Sequence, residues 1–257
     1  MSRLGRAAFW TLLPLAAPQA LWVRRRALRL PAAAGPREGA VGSGPMLRLV
    51  AVGDSIIAGV GAATADRGLT GRFAEALAAG AGRTVHWRSY GESGETGRDT
   101  AARLRALPPD TQARAETLVL ISTGVNHVTG LDRSERWLAA VEAVIEAAEA
   151  RLPGAGLVFL GLPEFDAFPL LPQPLRGLMA LRGRHFDRLL ARRLSRHPRA
   201  LHVPVHIPRD AALFCEDGFH PSEEGYGLLG QGMADLARER WPQGAPVASP
   251  SQSRGRR

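Results

Sequence analysis

Five short apolar runs alternate with five stretches of helical periodicity through the middle of this 257-residue chain, and that alternation constrains its fold more than any other feature. The runs at 48–53, 84–89, 117–122, 157–161 and 200–205 are too short for core helices and are bounded by turn formers, so they read as buried strands. Helical patterns fall near 66–80, 97–107, 133–151, 176–196 and 222–239. Between Glu135 and Arg151, for example, Trp137, Leu138, Val141, Val144 and Ile145 share one face. Strands joined through helices run parallel, and right-handed crossovers place the helices on both faces of the sheet. The expected architecture is an α/β, three-layer, doubly wound parallel sheet of about five strands, in a body spanning 46–241.

Residues 7–23 (AAFWTLLPLAAPQALWV) are apolar, with Arg3 and Arg6 before them and Arg24, Arg25, Arg26 and Arg29 after them. The stretch is shorter than the ~20 apolar residues of a bilayer span and is interrupted by Pro14 and Pro18. Arginines directly behind it oppose export, and Trp10 and Trp22 suit a membrane interface. Residues 1–30 are therefore expected to be a membrane-associating anchor on the cytoplasmic face of the inner membrane. The alternatives are a cleaved signal of an exported, periplasmic protein and a helix packed on the body. Residues 31–45 (PAAAGPREGAVGSGP) read as a linker, so that 1–45 would supply location and no chemistry. The tail 242–257 reads as disordered and basic.

The net charge of +9 is confined to these ends. Ten arginines and one acid lie in 1–45 and 241–257, leaving 23 basic and 23 acidic residues between. A neutral body argues against nucleic-acid binding. All 33 basic residues are arginine, which excludes P-loop and Schiff-base chemistry, each of which needs a lysine. The single cysteine, Cys215, reads as a small buried residue.

The first strand runs into Gly53-Asp54-Ser55. A serine just past the carboxyl end of a parallel strand stands where open α/β sheets place their chemistry, although serine also caps helices often. A nucleophilic serine needs a base and an acid that orients it. EDGFHPSEEG supplies a candidate pair, Asp217 and His220, three residues apart in a turn before the last helix. Asn126, the chain's only asparagine, follows the third strand, where an amide could serve a developing oxyanion. SYGESGETG follows the second strand and offers Gly91, Gly94 and Gly97, whose backbone N–H groups can approach a reacting oxygen. Asp54 reads as a turn and helix-start residue. The loop 163–174 (PEFDAFPLLPQP) reads as a lid or a packing segment.

These four blocks, in the order Ser–Gly–Asn–Asp/His over roughly Leu47 to Leu236, resemble the SGNH (GDSL-type) family of serine esterases and lipases. The resemblance implies a flavodoxin-like sheet, with Ser55 as nucleophile, His220 as base and Asp217 as its orienter. It also implies an oxyanion hole made by Ser55, Gly94 and Asn126, and requires no metal or organic cofactor. Two positions depart from the family pattern. His127 stands where an acid usually follows the asparagine, and Ser89 stands where the second block often opens with asparagine. The implied substrate is a small-molecule or lipid ester, and the apolar segments favour acyl chains. A thioesterase, a carbohydrate O-deacetylase and a non-catalytic membrane-tethered module are the alternatives, and the oligomeric state is left open.

Overall fold

The computed structural model describes residues 3–108, 116–242 and 244–245. All five expected strands are present: β2 (Met46–Gly53), β3 (Thr84–Gly91), β4 (Glu116–Ser122), β5 (Gly156–Leu160) and β6 (Ala200–Val203). They pair in parallel, with β3 and β4 on either side of β2 and then β5 and β6 beyond β4. Every residue of β4 after Glu116 and every residue of β5 is buried, the pattern of strands covered on both faces. The expected helices are α2 (Leu69–Ala81), α3 (Gly97–Ala106), α5 (Ser134–Arg151), α6 (Leu175–Leu194) and α7 (Glu223–Arg240). α2 packs on α7 and α3 on α5, with α6 against α5 and β6. A one-turn helix, α4 (Val125–Thr129), was not expected.

One expectation about the amino-terminal 45 residues is corrected. The segment 31–45 is not a free linker, because Glu38–Val41 forms β1 and pairs antiparallel with β3 at the sheet's edge. The sheet thus has six strands and starts before residue 46. Arg37 adds two bonds to the same strand: its carbonyl accepts from the Ser89 N–H, and its guanidinium donates to the Gly91 carbonyl.

The apolar segment is part of helix α1 (Arg3–Arg26), which packs on α6. Phe9 and Ala16 of this helix are fully buried. The guanidinium of Arg182, itself buried, lies over the Phe9 ring at 5.6 Å. Gln19 donates to the Gln173 carbonyl and accepts from the Leu175 N–H. Among the described residues no helix is long and apolar enough to cross a membrane. Most of the tail read as disordered lies outside the described residues.

The register positions the chemistry. Gly53 of β2 pairs with Gly91 of β3 and with Ser122 of β4, so the loops after all three strands leave the sheet side by side. Because β2 is flanked by strands reached in opposite directions, a crevice opens at its carboxyl end, where this class of sheet holds ligands. Gly53 has φ +150°, and a Cβ there would sit 2.0 Å from the Ser122 carbonyl oxygen. Only glycine lets the two strand ends close up behind Ser55.

Candidate active site

Asp217 and His220 sit in a turn closed by a bridge between Phe214 and Pro221, just before Ser222 caps α7. Three residues separate them in sequence, and the turn folds the carboxylate back onto the ring. Asp217 Oδ2 lies 2.6 Å from His220 Nδ1. Its other oxygen accepts from the backbone N–H groups of Phe219 and His220, at 2.9 and 3.0 Å. Burial alone would raise the Asp217 pKa, but these hydrogen bonds outweigh it and hold the group below its ordinary value. The ring's far nitrogen, His220 Nε2, is 2.9 Å from Ser55 Oγ, across 165 positions of sequence. Serine, histidine and aspartate thus form one relay.

Hydrogen bonds from α7 tie the loop after Ser55 to the helix that follows His220. Tyr226, buried on α7, donates to the Val60 carbonyl at 2.6 Å and ties the loop after Ser55 to that helix. Glu223 accepts from the Ala63 N–H at 3.0 Å from the same helix. Cys215 points its sulfur at the His220 and Pro221 carbonyls, and burial pushes its thiol up to about 12. It is half-buried, where a fully buried residue was expected. Asp54 is buried and accepts from Ser122 Oγ at 2.9 Å and from the Ile56 N–H. Burial pushes its carboxyl up to about 6, against those hydrogen bonds. Its contacts are those of the turn residue that was expected. Ser89 Oγ donates to the Ile57 carbonyl at 2.7 Å, so this departure from the family pattern braces the loop that follows Ser55.

Ser55, Gly94, Asn126 and His220 line one cavity of about 330 Å³. Gly94 has φ +87°, a left-handed conformation that suits glycine, and nothing lies within 4 Å of where its Cβ would be. Among the described residues, no backbone carbonyl accepts from the N–H of Ser55 or Gly94. Asn126 Nδ2 donates to the Glu95 carbonyl at 2.8 Å, leaving its second amide hydrogen free of that bond. The loop 163–174 packs as a wall. Phe165 and Leu171 join the core, while Phe168 reaches the cavity and its ring centroid lies 4.7 Å from that of Phe219.

His127, the second departure, has its own carboxylate partner, which sequence reading missed. Its Nδ1 is 2.7 Å from Asp132 Oδ2, and its Nε2 accepts from the Gly97 N–H at 2.9 Å. Asp132 stands five positions downstream, a spacing with no periodic signature. With both nitrogens engaged and the ring buried, His127 joins α4 to the start of α3. Burial lowers its pKa, against the pull of Asp132. The neutral ring is therefore favoured in the folded state, and its contribution is full above the ordinary histidine value of 6.5 and lost as pH falls through the lowered one. His127→Ala leaves the buried Gly97 N–H without its acceptor and is expected to cost about 1–3 kcal/mol. In thermal melts the gap from the parent should narrow below pH 6.5. An equal gap at every pH would refute the neutral-ring account.

A family model described as the GDSL-like Lipase/Acylhydrolase family matches residues 51–228. Among solved structures, the lipase Lip_vut3 from a goat rumen metagenome is 20% identical with a TM-score of 0.60, covering 76% of this chain and 97% of its own. The psychrotrophic esterase EstA from Pseudoalteromonas sp. is 15% identical with a TM-score of 0.57, covering 76% and 99%. A carbohydrate esterase family 2 enzyme from Corynascus thermopiles (Myceliophthora fergusii) is 14% identical with a TM-score of 0.59, covering 79% and 68%. No curated protein matches the chain.

Proposed function

Because the chain belongs to the GDSL-like lipase/acylhydrolase family and is an ester-cleaving hydrolase, we propose that it cleaves carboxylic esters through an acyl-enzyme on Ser55. The observation that carries this reading is the unbroken relay Ser55–His220–Asp217, with its 2.9 and 2.6 Å links. Ser55 Oγ attacks the acyl carbonyl as His220 Nε2 takes its proton, and Asp217 stabilises the resulting imidazolium. The N–H groups of Ser55 and Gly94 and the free amide hydrogen of Asn126 bind the tetrahedral oxyanion. His220 then protonates the leaving alcohol, and water repeats the sequence on the acyl-enzyme. The earlier alternative of a non-catalytic module falls with the family membership. Labelling by a fluorophosphonate, which requires an activated serine, tests the mechanism. Absence of labelling would overturn it.

Asn126→Ala is expected to lower kcat about 10²–10³-fold with little change in KM, as for loss of one oxyanion donor. A drop in melting temperature at an unchanged rate would make Asn126 a structural tie to Glu95 instead.

The substrate class is read from the cavity. Its walls include Ile56, Val60, Phe168, Val205 and Ile207, which suit an acyl chain. A series of p-nitrophenyl esters from acetate to palmitate should peak above acetate. A peak at acetate would favour the deacetylase reading, which the likeness to a carbohydrate esterase supports.

Membrane association belongs to the same proposal, as a surface contact. The outward side of α1 and the residues just after it expose Trp10, Leu12, Leu15, Leu21, Trp22 and Leu28, next to Arg24, Arg25 and Arg26. An apolar face edged by arginines fits an anionic bilayer, and the arginines favour the cytoplasmic side. Full-length protein should co-sediment with phosphatidylglycerol vesicles, and the double variant Trp10→Ser/Trp22→Ser should not. Sedimentation unaffected by that change would remove α1 as the contact.

A further inference from the structure

Leu28, Arg29 and Leu30 line the same cavity as Ser55, so the segment expected to supply location alone forms part of its wall. The strap is fixed at both ends. Upstream it continues from α1, where the Ala27 N–H donates to the Val23 carbonyl. Downstream the N–H groups of Ala33 and Ala34 donate to the carbonyls of Ala58 and Ala63, within the loop that follows Ser55. A segment so anchored holds Arg29 over the cavity.

The wall is graded from apolar to cationic. Val60, Phe168, Val205 and Ile207 are buried, whereas Arg29 is exposed at the rim. Apart from His220, Arg29 is the one basic side chain among the described residues that line the cavity. Among the described residues no carboxylate pairs with it. Asp54, the carboxyl in the lining, already accepts from Ser122 and Ile56. A guanidinium presents a planar fork that matches phosphate and carboxylate, and an unpaired one at the mouth of an apolar cavity can select an anionic group.

Resting on the acyl-enzyme reading, we propose that Arg29 is a specificity residue for esters whose acyl chain fills the apolar cavity and whose alcohol carries a phosphate or carboxylate. The reaction is unchanged: the anionic alcohol leaves with a proton from His220, and water releases the acid. The test compares octanoyl esters of 4-hydroxybenzoate and of its neutral methyl ester. The readout is the ratio of their kcat/KM values, so that differences common to both esters cancel.

Arg29→Gln should lower the anionic-to-neutral ratio roughly 5–20-fold, Arg29→Glu should lower it further, and Arg29→Lys should keep part of it. Salt at 0.5 M should shrink the parent's preference. Arg105→Gln, on α3 and away from the cavity, controls for net charge and should leave the ratio unchanged. Two further substrates locate the source of the anion. A selective loss on phosphatidylglycerol vesicles assigns it to a bilayer headgroup, and a loss on monomeric octanoyl glycerol phosphate assigns it to a dissolved ester. A ratio that is the same in parent, Arg29→Gln and Arg29→Glu overturns the inference alone. Neutral-ester turnover that survives in Ser55→Ala overturns the underlying reading as well.

Discussion

Ser55→Ala is expected to lower kcat by about 10⁴–10⁶-fold and to abolish fluorophosphonate labelling, the scale seen when a triad nucleophile is removed. The residue sits half-exposed at the cavity, and the hydrogen bond recorded for its hydroxyl is the one to His220. The His220 side chain lines the cavity and keeps 17% of its surface exposed, so deleting that oxygen should strand no fully buried polar group. The melting temperature should therefore stay close to that of the parent, which separates lost chemistry from lost fold. Turnover near the parent rate in a well-folded alanine variant would end the acyl-enzyme proposal.

Asp217→Asn should cost nearly as much, about 10⁴-fold in kcat, through the tautomer of His220. Asp217 Oδ1 accepts two backbone N–H groups, so an asparagine would keep its carbonyl oxygen there and turn its NH₂ towards His220 Nδ1. Nδ1 would then have to accept. The ring's proton would move to Nε2, where it faces Ser55 and can no longer take the serine's proton. The depressed pKa of Asp217 adds a pH argument. Burial opposes ionisation, but the hydrogen bonds from His220 and the backbone win, so the folded value lies below 3.8. Its contribution to stability is therefore full above 3.8 and lost only as pH falls through the lower folded value. Asp217→Asn should be measured by kcat alongside a circular-dichroism melt. A loss of less than tenfold with an intact fold would mean that the carboxylate does not set the tautomer.

Much of this molecule could be read without coordinates because the relevant signals are local. Each parallel strand is a run of a few apolar residues ending in a turn former, and each core helix repeats its apolar face every three to four residues. Those patterns survive translation into structure because parallel strands are buried on both sides and helices on one. The candidate site was legible for the same reason. Asp217 and His220 lie within one turn, Gly53 to Ser55 within one strand end, and Asn126 stands out as the chain's single asparagine.

What escaped depends on partners distant in sequence. β1 is four residues, mostly exposed, with no alternating pattern, and it is a strand only because the edge of β3 offers it bonds. The apolar segment that looked like an anchor has, by composition alone, no way to announce that Phe9 will lie against Arg182 on α6. His127 looked like a misplaced acid until Gly97, thirty positions away, and Asp132 took its two nitrogens. Leu28 to Leu30 carry no motif, and their place in the wall follows from two anchorages, α1 on α6 and Ala33–Ala34 on the loop after Ser55. The sequence by itself determined the five parallel strands, the core helices and their order, and the four blocks that meet at the candidate site, because periodicity and turn chemistry are encoded within a few residues. The tertiary structure alone decided the sixth strand, the docking of α1 and the cation at the cavity's rim, because each depends on pairing between surfaces that meet only after the chain has folded.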